Sequence, residues 1–247
     1  MKVAIGFFAA LIVGLTGVGG GSFTTPALIL LAGTSGAEAV GTALVFATVI
    51  RLIAAPFYVF GQKIHIRYLF IMLLGAIPGV LAGTYLLRKA TALALTPLVL
   101  AILGTMLVTG AVLTAWPSRP ILQTVRSRPS RWLACLALPL GVETGFSSAG
   151  SGALGSLLLF NFTPLSPTQV IGTDMVFGTA LTSLGALFHF SFGTVNLSTL
   201  QALLEGGLPG VLIGCLLAPQ LPAQLLRKMV LALTMLLGIQ LLLMGTR

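Results

Sequence analysis

Long apolar stretches fill most of the chain, and the polar or glycine-rich interruptions between them mark out its elements. The apolar runs are Val3–Leu15, Ser22–Ala32, a stretch from Gly36 to about Phe60, Tyr68–Leu87, Thr91–Ala115, Trp132–Thr144, Ala153–Asn161, Thr168–Phe190, Leu197–Leu217 and Ala223–Gly245. Most of them approach the ~20 residues that carry a helix through a bilayer. Two pairs do not. Val3–Leu15 and Ser22–Ala32 hold about 13 and 11 residues, and joined end to end they would reach more than about 40 Å across a core of ~30 Å. A re-entrant hairpin or a strongly tilted broken helix resolves the mismatch, with Gly14–Ser22 as the break near the membrane middle. Trp132–Thr144 and Ala153–Asn161 repeat the pattern around a second break, Gly145–Gly152.

A constant shift of 131 positions lays the second half of the chain over the first. Gly14 meets Gly145, Gly19 and Gly21 meet Gly150 and Gly152, Gly41-Thr42 meets Gly172-Thr173, and Pro78-Gly79 meets Pro209-Gly210. Gly75, Gly79 and Gly83, spaced four apart on one helical face, meet Gly206, Gly210 and Gly214. Such a strip lets another helix approach closely. The pattern therefore predicts a first membrane repeat at 1–115, a basic linker at 116–131 and a second repeat at 132–247. Each repeat is a broken or re-entrant helix pair followed by three transmembrane helices. If the pair is re-entrant, each half crosses an odd number of times and the halves are inverted repeats. If each broken helix crosses, the halves are parallel. The length argument favours inversion, with both termini periplasmic; either arrangement puts the arginine-bearing linker in the cytoplasm.

Composition narrows the class. At 57% hydrophobic and 7% charged residues, with a mean hydropathy of +1.09, the chain is an all-α integral membrane protein, for which the bilayer is the first partner. The net charge of +9 sits in short connections, including Arg119, Arg126, Arg128 and Arg131, which is positive-inside bias and no nucleic-acid surface. The opening Met1-Lys2 and apolar run imitate a signal peptide without a cleavage site in polar context and are read as retained. Cys135 and Cys215 read as packed thiols in apolar helices.

Chemistry concentrates at the breaks. The first amides of a half-helix have no intrahelical partner and carry partial positive charge, and glycine lets a ligand reach them. Two such ends facing each other would hold a small oxyanion, with Ser22, Thr25, Ser151 and Ser156 as added hydroxyl donors. The plainer alternative is that these glycines serve helix packing alone. Glu38, Glu143, Asp174 and Glu205 are the four acids, too few for a site built for divalent cations. Asp174, two turns inside its helix, is a candidate for proton coupling, gating or pairing with the equally deep Arg51; an interfacial cap is the alternative. His65 and His189 read as interfacial hydrogen-bonders. GxSxG, HExxH and P-loop patterns are absent, so neither catalysis nor a cofactor is expected.

Gly14–Pro26, Ala39–Thr42, Gly75–Gly83, Gly145–Gly155, Val170–Asp174 and Leu208–Gly210 together resemble the TauE/SafE sulfite exporter family over nearly the whole chain. The resemblance implies a multi-pass carrier of the bacterial inner membrane for sulfite, sulfonates or related organic anions, with substrate contacts at Gly19–Ser22 and Gly150–Gly152. The candidate substrate set is then Gly19, Gly20, Gly21, Ser22, Thr25, Gly150, Ser151, Gly152, Thr42, Thr173 and Arg51, with Asp174 for coupling. Leu157 stands where the shift would place the proline after the first break, and Ser151 replaces a glycine, so unequal half-sites are expected. A channel-like anion pore and a non-transporting membrane subunit are the rival readings. A coupling proton or cation and a homodimer are compatible with the sequence.

Overall fold

The computed structural model describes residues 1–17, 21–59, 64–115, 131–149, 153–218 and 223–245. They form ten α-helices: α1 (Lys2–Thr16), α2 (Gly21–Ala32), α3 (Gly36–Val59), α4 (Ile66–Ala92), α5 (Thr96–Ala115), α6 (Arg131–Ser147), α7 (Ala153–Phe162), α8 (Pro167–Ser191), α9 (Leu197–Leu217) and α10 (Ala223–Gly245). No strand occurs among the described residues. Gly36–Phe57, Ile66–Ala92 and Leu197–Leu217 are both long and apolar enough to cross a membrane. α5, α8 and α10 have the length, at 20, 25 and 23 residues.

Local chemistry starts the later helices. Ser166 accepts the Gln169 amide while the Gln169 side chain accepts the Ser166 amide, a reciprocal cap with Pro167 opening α8. Asn196 caps α9 by accepting from the Thr199 amide.

Burial is inverted relative to a protein folded in water. Phe8, Phe70, Leu74, Leu187 and Phe190 are exposed, whereas Arg51, Glu143, Asp174 and His189 are buried. Lipid solvates that outer surface, and the ionisable side chains turn into the protein.

The glycine strips make the tightest seams. A Cβ placed on Gly75, Gly79 or Gly83 of α4 would lie 1.9, 2.3 or 2.2 Å from the carbonyl oxygens of Ala134, Leu138 and Val142 on α6. Gly206, Gly210 and Gly214 of α9 stand in the same way against Val3, Phe7 and Leu11 of α1, at 1.9, 2.4 and 2.5 Å. Residue numbers rise together along both seams, so each pair runs parallel. Shifting one set of contacts by 131 positions yields the other. α5 and α10 instead run antiparallel, with Gly245 against Ala101 and Gly238 against Leu107 and Val108. α3 and α8 are also antiparallel: Gly41 meets His189, and Gly185 meets Leu44.

Three local expectations are corrected. α4 continues past Arg88-Lys89 to Ala92, ending in a turn at Leu93–Leu95 where Ala94 has φ 52. Arg88 need not stop the helix because its guanidinium packs 4.6 Å from the Phe192 ring centroid. α6 runs through Ser147, so Gly145 is helical and packs on Val80 instead of opening the break. Cys135 is exposed on the outer face of α6, while Cys215 packs against Gly14. Of the linker at 116–131, residues 116–130 lie outside the described residues and Arg131 opens α6.

Candidate substrate site at the two helix breaks

Both breaks open with a left-handed residue. α1 closes at Gly17, φ 66, whose amide donates to the Val13 carbonyl, a conformation glycine adopts without steric cost. At the equivalent place after α6 stands Ser148, φ 65 and 1% exposed. A side chain in that conformation costs about 1 kcal/mol, and its hydroxyl offsets the cost. Ser148 Oγ donates to the Gly21 carbonyl at 3.1 Å and lies 2.6 Å from Thr25 Oγ1. A Cβ on Gly21 would fall 1.9 Å from the Ser148 carbonyl oxygen, so the main chains at the two breaks are in contact. Because a carbonyl can only accept, Ser148 gives its proton to Gly21 and Thr25 gives its own to Ser148. Neither hydroxyl proton is left for a ligand in this state.

The remaining candidates divide into groups. Ser22 lies partly exposed in the first turn of α2. Gly19, Gly20, Gly150, Ser151 and Gly152 lie outside the described residues. Thr42 and Thr173 are fully buried and hold chain connections: Thr42 Oγ1 accepts the Asn196 amide at 3.1 Å, and Thr173 Oγ1 accepts the His65 amide at 3.0 Å. The two bonds are equivalent under the shift. Arg51 is 2% exposed on α3 and acts electrostatically on Asp174 of α8. Asp174 is buried, which rules out the interfacial cap, and Ser156 of α7 donates to its Oδ2.

Two acids flank the start of α7. Asp174 Oδ1 sits over Gly155, where a Cβ would meet it at 2.1 Å. Glu143 of α6 lies beside Gly110 of α5, and a Cβ there would stand 3.1 Å from Glu143 Oε1 and 3.7 Å from Leu154 of α7. The positive end of a helix such as α7 favours negative charge beside it.

His189 overturns the interfacial reading. It is 1% exposed, with Nε2 donating to the Gly145 carbonyl at 3.0 Å and Nδ1 2.9 Å from Thr194 Oγ1. It closes the last turn of α6 beside the second break. Its distance in sequence from Gly145 hid that role, whereas Ser148 was findable, because the shift places it on Gly17.

The family model for the sulfite exporter TauE/SafE matches residues 2–241. The chain is also similar to a protein of Bacillus subtilis (strain 168) described as "Probable membrane transporter protein YjnA", 28% identical over 234 residues that cover 88% of this chain and 89% of that one. No solved structure gives a significant match.

Proposed function

The chain belongs to the TauE/SafE sulfite exporter family and is a multi-pass membrane transporter, and from that premise we propose that it exports small sulfur-containing anions across the bacterial inner membrane by alternating access. The observation that carries this reading is the meeting of the two breaks, Gly21 against Ser148 with Thr25 bonded across them. In this reading the opening turns of α2 and α7, each following a break, supply backbone amides and positive helix ends that solvate negative charge. Sulfite, thiosulfate and sulfonates present the compact oxygen surface such amides suit. Arg51 adds a buried positive charge that attracts the anion. On this reading the protein moves its substrate without chemical change.

The halves are inverted repeats in this proposal. Its support is the antiparallel packing of the equivalent helices α5 with α10 and α3 with α8, which a two-fold axis in the membrane plane requires. α1 runs parallel to α9, and α9 to α3, since Thr42 meets Asn196 while Phe46 and Ile50 meet Gly207. A chain that enters along α1 and must start α3 from the same side returns along α2, as a re-entrant hairpin does.

Flux of labelled thiosulfate, sulfite and an alkyl sulfonate into proteoliposomes tests the function. Saturable uptake with counterflow is the expected result. Uptake that neither saturates nor shows counterflow would assign a pore, and folded protein that moves none of these anions would end the proposal.

A further inference from the structure

At one cluster the differences between the two half-sites compensate one another. Under the shift, Thr24, Thr25 and Ala43 of the first half become Gly155, Ser156 and Asp174 of the second. A carboxylate is gained on α8 where a side chain is lost on α7, and Asp174 Oδ1 lies in the space that loss opens, 2.1 Å from where a Gly155 Cβ would be. Thr25 reaches across to Ser148, whereas its counterpart Ser156 donates to Asp174 Oδ2. Among the described residues Asp174 Oδ1 has no hydrogen-bond partner, though Asp174 is 8% exposed. A carboxylate in an accommodated site, with one oxygen held and the other buried bare, is built to take up a proton.

We propose that Asp174 is a proton site loaded together with the substrate anion, so that a proton crosses with each anion. The inference rests on the transport reading above and names its coupling ion. When ionised, Asp174 itself occupies the positive end of α7 and competes with an incoming anion for that potential. Protonation frees the helix end. Linkage is reciprocal, so the bound anion raises proton affinity by the same factor. Among the described residues, the charged and titratable groups near Asp174 are Arg51 from α3, Glu143 from α6 beside the start of α7, and His65, whose amide holds the adjacent Thr173. α7 contributes none. A proton carried with a dianion leaves net negative charge, so an inside-negative potential still drives export.

The test uses the full chain in proteoliposomes with thiosulfate, a dianion that stays ionised across the working range, and a pH dye in the lumen. Thiosulfate entry is expected to acidify the lumen, and its apparent affinity to improve by up to about tenfold per unit of falling pH, the limit for one linked proton. Asp174→Asn is expected to retain thiosulfate exchange at equal pH, at an altered rate, with no lumen acidification and a flat pH profile. Glu205→Gln, on an exposed carboxylate bonded to Gln201, keeps both. Thiosulfate movement without proton movement in the unmodified protein overturns the inference and leaves the transport reading standing, as does acidification that survives Asp174→Asn. Failure to move any sulfur anion overturns both. If Asp174→Asn does not fold, Gly155→Ala decides: its methyl displaces Oδ1 and shifts the pH midpoint of transport, and an unmoved midpoint refutes the proton site.

Discussion

Ser148 shows how one side chain can hold a backbone conformation that glycine holds for nothing. Its hydroxyl ties α6 to both Gly21 and Thr25, and each bond is worth about 1 kcal/mol net. Ser148→Ala keeps the left-handed strain and loses the bonds, while Ser148→Gly loses the bonds and the strain together. Thermal unfolding in detergent is therefore expected to rank the unmodified protein first, Ser148→Gly next and Ser148→Ala last, the two variants separated by about 1 kcal/mol. A double-mutant cycle of Thr25→Val with Ser148→Ala is expected to show a coupling of about 1 kcal/mol, and additive effects would mean that the cross-break bond contributes nothing. The equivalence of Ser148 with Gly17 was legible from the shift. That its hydroxyl would be consumed by the other break was not, because the partner lies 123 residues away.

At the scale of elements, the four-residue glycine spacing announced a close-packing face but not its occupant. The occupants are α6 for α4 and α1 for α9, each meeting the strip with backbone carbonyls. Gly75→Val and Gly206→Val are expected to wedge these seams apart and cost at least about 1–3 kcal/mol, read as a fall in unfolding midpoint in detergent. Ala82→Leu, on the exposed face of α4, is expected to stay within about 0.5 kcal/mol of the unmodified protein. Equal losses at all three positions would deny the seams their special role. The extension of α4 past Arg88-Lys89 escaped the hydropathy pattern because two charges ordinarily close a span, and here Phe192 receives one of them.

For the whole molecule, the seams join helices from opposite ends of the sequence. Neither 1–115 nor 131–247 keeps its tightest partner when separated, since α1 packs on α9 and α4 on α6. Halves expressed together from separate reading frames, cut within the linker, are expected to copurify, while either half alone is degraded. Recovery of one folded half without the other would show that the seams are dispensable. The same interlocking bears on the proposed alternating access: a motion that rocked sequence halves apart would break both seams. The moving bodies are instead expected to keep α1 with α9 and α4 with α6. The proposed inversion places both termini on the side opposite the linker, so a phosphatase reporter active only outside the cytoplasm is expected to work at the C-terminus and fail in the linker.

By itself the sequence determined the membrane class, the all-helical architecture, the two interruptions and the shift relating them, because hydropathy, span length and glycine spacing are local properties that a bilayer constrains directly. Only the tertiary structure decided which helices fill the glycine strips, that Ser148 and Thr25 join the breaks, and that Asp174 lies buried over Gly155 instead of reaching an interface. Those outcomes depend on which distant backbones come within a few ångströms of one another, and in a chain so uniformly apolar many alternative pairings satisfy the same pattern.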